Sequence, residues 1–264
     1  MKEIYNLNNS ERSEKITTAL VLAAGTGRRL NPLTNDAPKC LTSVNEIEIL
    51  GRLIETLHHY KFKRLVIVIG PFEQQIRDYL ENISKNITVE YIVSPLYKTT
   101  NNIYSLWMAR EKIKESFILI ESDLIFKSSQ LEEMLLPNKI AVSHILPWMN
   151  GTTITTDNRL PSQVTAFNLG GSLTNDTNFK TVNIYSFSPE SWRQVSKRLD
   201  SWISIGKVNS YYEAVFSEMV ADGSLNFQCV YFDSDFWYEI DNIEDLYECE
   251  KLMLHTKQPL AAVL

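Results

Sequence analysis

The sequence predicts an α/β fold: a mostly parallel sheet with helices on both faces, plus an insertion of mixed strands. Two observations predict it. Short apolar runs without polar alternation recur through the first half, and segments of helical periodicity separate them. The most polar loops, at 25–39, 94–102 and 121–123, follow the apolar runs, where open α/β sheets gather their ligands.

Residues 1–16 show no lasting periodicity and are expected to form a flexible N-terminal arm. Thr17–Ala24, TTALVLAA, reads as a buried strand ended by Gly25. An amphipathic helix is expected over Ile47–Tyr60, with Leu50, Leu53, Ile54 and Leu57 on one stripe. Arg64–Ile69 is a second strand, closed by Gly70-Pro71, and Ile76, Tyr79 and Leu80 mark the next helix. Thr88–Val93 is a third strand, Asn101–Lys114 a helix, and Phe117–Ile120 a fourth strand running into Glu121-Ser122-Asp123. Beyond it, strands are expected at Lys139–His144, Gly151–Thr156, Gln163–Leu169, Lys180–Phe187 and Asn226–Phe232. Helices are expected at Glu190–Ser204, Ser210–Asp222 and Ile243–His255. No repeat or linker divides the chain, so 17–257 reads as one domain and 258–264 as a tail or linker remnant.

Lys and Arg number 26 against 32 Asp and Glu, for a net charge of −6. That balance argues against a nucleic-acid or anionic-membrane partner. Three dispersed cysteines, Cys40, Cys229 and Cys249, make a disulfide framework or cysteine-rich zinc site unexpected. The expected compartment is the cytoplasm, and a homodimer or a fusion to another domain is compatible with the sequence.

The loop after the first strand carries the chemistry. Leu22-Ala23-Ala24-Gly25-Thr26-Gly27 presents small residues whose backbone N–H groups can approach a polyphosphate. Arg28, Arg29 and Lys39 put positive charge around them. A tight strand exit with solvated arginines would look the same from the glycines alone. A Walker A loop is ruled out, because Gly206-Lys207 is followed by Val208. A dinucleotide fingerprint would need glycine at position 30, which is Leu30.

The full string LAAGTGRRLNPLTNDAPK resembles the signature of nucleotidyltransferases that activate sugar phosphates and phosphocholine, L-A-A-G-x-G-x-R-L-x-P-x-T-x-x-x-P-K, and matches it at every fixed position. The resemblance runs from about residue 17 to 255 and implies a Rossmann-like sheet that binds a nucleoside triphosphate. By position, Arg29 and Lys39 match the family's phosphate-binding arginine and lysine, while Arg28 falls at a variable position. Asp123, in FILIESD, and Asp241, in FWYEIDN, resemble the family's two metal-binding aspartates. Each could instead be a solvated strand end or a helix cap. Together with a phosphate loop they suit magnesium, which takes hard oxygen ligands.

Asn101-Asn102-Ile103-Tyr104-Ser105-Leu106 and Tyr238-Glu239-Ile240-Asp241 resemble the NN-x-YSL and YEID segments of the phosphocholine cytidylyltransferase group. That group uses CTP and small zwitterionic acceptors. CTP contacts are therefore expected from the loop residues 22–27, Arg29 and Lys39, and also from Gly70 and Asn102. The segment Pro147-Trp148-Met149-Asn150-Gly151-Thr152 looks more like the branch that activates 2-aminoethylphosphonate. Acceptor contacts are expected from Trp148, Lys180, Tyr212, Glu213, Trp237 and Glu239, with Lys180 a candidate for the phosphonate. The expected reaction is CMP transfer from CTP to 2-aminoethylphosphonate with release of pyrophosphate. Phosphocholine, a sugar 1-phosphate, or nucleotide binding without catalysis are the alternatives.

Overall fold

The computed structural model describes residues 15–146, 149–157, 159–170 and 177–256. Strand β1 (Thr18–Ala23) is buried along its whole length. A small hairpin of β2 (Ser43–Val44) and β3 (Ile47–Glu48) leads into α1 (Ile49–His59). Then come β4 (Arg64–Ile69), α2 (Glu73–Ile83), β5 (Thr88–Val93) and α3 (Asn102–Ala109). Strand β6 (Phe117–Glu121) is followed at once by β7 (Leu124–Phe126). The second half holds β8 (Lys139–Ser143), β9 (Thr153–Asp157), β10 (Leu160–Asn168) and β11 (Asn178–Phe187). It ends with α4 (Pro189–Ser204), α5 (Glu213–Ala221), β12 (Gln228–Tyr231), β13 (Trp237–Glu239) and α6 (Ile243–Thr256).

Nine strands form one sheet in the order β5-β4-β1-β6-β11-β8-β12-β10-β9. The first four pair in parallel, with Leu20 opposite Val66 on one side and Leu119 on the other. From β6 onward the sheet is mixed, because β11 runs antiparallel to both β6 and β8. Period-two alternation splits the core between the faces. Leu20, Leu22, Val66 and Val68 pack with residues of α3, α4 and α5, and Ala19, Val21, Leu65 and Ile67 with residues of α1 and α2. Among the described residues no helix is long and apolar enough to cross a membrane.

Counted along the chain, the four parallel strands lie in the order 3-2-1-4. The direction of winding therefore reverses between β1 and β6, and a crevice opens beyond their carboxyl ends. β7 and β13 then pair as a separate antiparallel ribbon, Glu239 opposite Leu124 and Trp237 opposite Phe126. The sequence reading did not contain this ribbon. Its strands are three residues each, and their partners lie more than a hundred positions apart.

Three helices are shorter than expected. α1 starts at Ile49 rather than Ile47, because Ile47–Glu48 pairs with Ser43–Val44. α3 stops at Ala109, and the carbonyls of Lys112 and Ile113 serve Arg64 and the Trp192 indole instead. α5 begins at Glu213 rather than Ser210, because the Tyr212 backbone N–H donates to the Asn102 side chain at 3.0 Å.

Candidate active site

The glycine loop forms one wall of a cleft of about 370 Å³ at the crevice between β1 and β6. Leu22, Ala23, Ala24, Gly25, Thr26 and Gly27 all line it, with Arg28, Arg29 and Lys39. Gly27 has a φ of +63°, and a Cβ there would stand 3.1 Å from the Cβ of Lys39 and from Thr34 Cγ2. Only glycine lets the loop close against the lysine in that conformation. Gly70 is not part of the lining. A Cβ on it would meet the carbonyl oxygen of Ala24 at 2.4 Å, so its role is to let the end of β4 pass close under the loop.

The opposite wall comes from the ends of β6 and β13. Asp123 follows β6, and the Ile240 N–H donates to its carbonyl at 2.9 Å. This backbone bond draws the 237–241 segment alongside Asp123. Ile240 is buried among Leu30, Ile49 and Ile125. Alternation therefore turns Glu239 and Asp241 to the other side. One carboxylate oxygen from each of Asp123, Glu239 and Asp241 lies within 4.8 Å of the other two. Asp241 does not cap the closing helix. Asn242 accepts from the Asp245 N–H, and Asp245 accepts in return from the N–H groups of Asp241 and Asn242. This reciprocal cap leaves the Asp241 carboxylate to the cleft.

The cations meet these carboxylates directly. Lys39 Nζ stands 2.8 Å from Asp123 Oδ2 and 3.0 Å from Asp241 Oδ1, and an Arg29 guanidinium nitrogen stands 2.7 Å from the same Asp241 oxygen. Burial alone would lower the Lys39 pKa, but Asp123 and Asp241 reverse that and raise it above the ordinary lysine value. Asp123 Oδ1 is buried with no hydrogen-bond partner. An orphaned carboxylate oxygen among three clustered acids fits a hard divalent cation. Glu239 joins this group, where the sequence reading set it among the acceptor contacts alone.

Asn102 lines the cleft and also ties it together. Its amide donates to Glu121 at 3.4 Å, and its oxygen accepts from Tyr212. Glu121 has a carboxyl raised well above the usual range by burial and by nearby Asp123 and Glu213.

A second, smaller cavity of about 90 Å³ adjoins the carboxylates, with Lys180, Trp237, Glu239, Met149 and Asn150 in its lining. Lys180 is almost wholly buried, 3.4 Å from Glu239 and donating to the Thr181 carbonyl. Trp148 lies outside the described residues. Tyr212 is not a surface aromatic: it is fully buried, edge-on to Tyr185 at 5.8 Å between ring centroids. The start of α5 turns it inward and leaves its neighbour Tyr211, 61% exposed, in the cleft lining. Glu213 is 5% exposed, its Oε2 has no partner, and burial pushes its carboxyl up to about 7.

Residues 18–146 match the family described as nucleotidyl transferase. That match spans just under half of the chain. Over 236 residues the chain is 28% identical to a CMP-5'-(3-aminopropyl)phosphonate synthase of Streptomyces rubellomurinus, covering 86% of this chain and 37% of that protein. Over 110 residues it is 32% identical to a choline-phosphate cytidylyltransferase of Streptococcus pneumoniae, covering 42% and 46%. The chain thus spans about a third to a half of the length of these curated relatives. Among solved structures, the CTP:phosphocholine cytidylyltransferase of Streptococcus pneumoniae superposes with a TM-score of 0.78 at 19% identity, covering 91% of this chain and all of that one. The inositol-1-phosphate CTP transferase of T. maritima superposes at 0.74 with 20% identity, covering 95% and 100%. The fold is that of the nucleotidyltransferases.

Within the cleft, the sequence pointed to the loops at 94–102 and 121–123 without singling out Tyr97, Thr100, Glu121 or Ser122, and it missed Tyr211. Glu121 and Ser122 sit in the same strand exit as Asp123, so the position after the fourth apolar run was the available signal. Tyr97 and Tyr211 come from loops joined by long-range bonds such as that from the Asn101 N–H to the Val208 carbonyl, which no local pattern announces. Cys40, which the sequence left open to partial exposure, is buried, and desolvation pushes its thiol up to about 12, far from a reactive thiolate.

Proposed function

We propose that the chain is a cytidylyltransferase that moves CMP from CTP to a small zwitterionic phosphonate or phosphate, with 2-aminoethylphosphonate the favoured acceptor. One observation carries the reading: a glycine-rich strand exit, two phosphate-type cations and three carboxylates converge at one crevice. The relative named for CMP-5'-(3-aminopropyl)phosphonate supports an aminoalkylphosphonate as acceptor class.

In this reading the acceptor's phosphonate oxygen attacks the α-phosphorus of CTP in line, forming a P–O bond, and pyrophosphate leaves with the electron pair of the broken bond. Positioning and charge neutralisation do the work, and no side-chain nucleophile is needed. Asp123 and Asp241, with Glu239 in reach, would hold a magnesium ion, which would supply charge neutralisation to the phosphates. Arg29 and the loop N–H groups hold the leaving pyrophosphate, and Lys39 meets charge at the transferring phosphorus. Lys180, which lines the smaller cavity, would take the phosphonate in this reading. Glu213 and Glu239 offer acceptors for a primary ammonium.

A second reading, phosphocholine as acceptor, draws on Trp237 in that cavity, since an aromatic face suits a quaternary ammonium. Pyrophosphate release from a panel of CTP, UTP, dTTP, GTP and ATP against 2-aminoethylphosphonate, phosphocholine and sugar 1-phosphates tests both. CTP with 2-aminoethylphosphonate should lead. Preference for UTP or dTTP with a sugar phosphate would reject the cytidylyl reading.

A further inference from the structure

Three cations at the candidate active site are already engaged by carboxylates. Lys39 bridges Asp123 and Asp241, Arg29 holds Asp241, and Lys180 faces Glu239 at 3.4 Å. In Lys39 and Arg29, groups that suit phosphate are spent on carboxylates that suit a divalent ion. A lysine ammonium 2.8 Å and 3.0 Å from two carboxylates stands where an ion shared by those carboxylates would have to stand. The two positive charges exclude each other from one seat.

The arrangement is also incomplete as a plain ion pair. Lys39 leaves Asp123 Oδ1 buried and unpartnered, although each unmade bond to a buried charged group is costly. The lysine backbone is fixed by the turn after Pro38 and by contact with Gly27. Only its four-carbon stem is free to carry the charge elsewhere.

We propose that Lys39 is a place-holder in the metal seat of Asp123, Glu239 and Asp241, so that metal and nucleotide enter the site by exchange. An incoming polyphosphate draws Lys39 and Arg29 onto its oxygens and frees the carboxylates for the ion. Metal and nucleotide then favour each other's binding by more than their own complex in solution accounts for, and the coupling is reciprocal. The inference rests on the site being a metal–nucleotide site, but its test needs no turnover.

The probe is manganese(II) alone, titrated into the full chain without nucleotide and followed by the electron paramagnetic resonance of the free ion. Lys39→Met should bind manganese at least about tenfold more tightly than the unsubstituted chain. Equal or weaker binding by a folded Lys39→Met overturns the proposal. A second measurement uses the unsubstituted protein, so that a folding defect in the variant cannot decide the outcome. Acetylation of Lys39 by an N-hydroxysuccinimide ester, read by mass spectrometry, should rise several-fold at saturating manganese. Unchanged acetylation there overturns the proposal as well. Failure of CTP to yield pyrophosphate with any acceptor would instead remove the cytidylyl reading, and the manganese titration would still decide the exchange.

Discussion

Lys39 and Asp123, 84 residues apart in sequence, meet at 2.8 Å across the crevice between β1 and β6. The contact joins the glycine-rich loop to the carboxylate cluster and makes the two halves of the candidate site one electrostatic unit.

Asp123→Asn and Asp241→Asn should each keep the fold and lose turnover on the order of 100-fold, about 3 kcal/mol, because an amide cannot offset the charge of a divalent ion. Initial rates across a magnesium titration check this. Near-normal activity in either variant would remove that residue from the site.

Gly70→Ala places a methyl group 2.4 Å from the Ala24 carbonyl oxygen, and that neighbour is backbone rather than a side chain that can swing away. The end of β1 must shift, so stability should fall by roughly 1–3 kcal/mol and the KM for CTP should rise. Urea unfolding together with CTP saturation curves checks both. Unchanged values would mean that the loop tolerates the displacement.

Glu213 makes stability depend on pH. Burial is the main cause that lifts its carboxyl to about 7 in the fold, against about 4.5 unfolded, while Lys180 pulls the other way and Glu239 adds to the rise. Glu121, Tyr185 and Tyr212 face the same cluster. The folded state therefore binds more protons between pH 4.5 and 7. The contribution of the neutral acid is complete below the lower value and is lost as pH rises through the upper one, up to roughly 3 kcal/mol. Glu213→Gln should flatten the fall in unfolding free energy between pH 5.5 and pH 8, measured by urea denaturation. A variant whose pH dependence matches the unsubstituted chain would contradict this.

The acceptor preference rests on hydrogen-bond donors. A primary ammonium brings three N–H groups to Glu213 or Glu239, and a trimethylammonium brings none. An unpaired buried acceptor costs roughly 1–3 kcal/mol, or about 5- to 150-fold. Values of kcat/KM for 2-aminoethylphosphonate should exceed those for phosphocholine by that factor. Parity would assign the cavity to the choline reading.

The parallel half of the fold was legible because its strands are unbroken apolar runs, such as RLVIVI at 64–69, whose burial leaves no alternation to misread. Arg29, Lys39, Asp123 and Asp241 were picked out as well, since each falls on a position of the motifs that the sequence resembles. What local pattern does not encode is pairing between distant short segments. The ribbon of Leu124–Phe126 with Trp237–Glu239 therefore went unseen, and with it the place of Glu239 beside the aspartates. Tyr212 was misjudged by one position, because the bond from its N–H to Asn102 sets where α5 starts and so which tyrosine faces out.

The central claim is transfer of a cytidylyl group. The most direct measurement follows CTP labelled at the α-phosphorus through incubation with 2-aminoethylphosphonate and magnesium. The account predicts that the label appears in a CMP–phosphonate conjugate, in amounts equal to the unlabelled pyrophosphate released. Label remaining in CTP, or passing to free CMP with no conjugate formed, would contradict it.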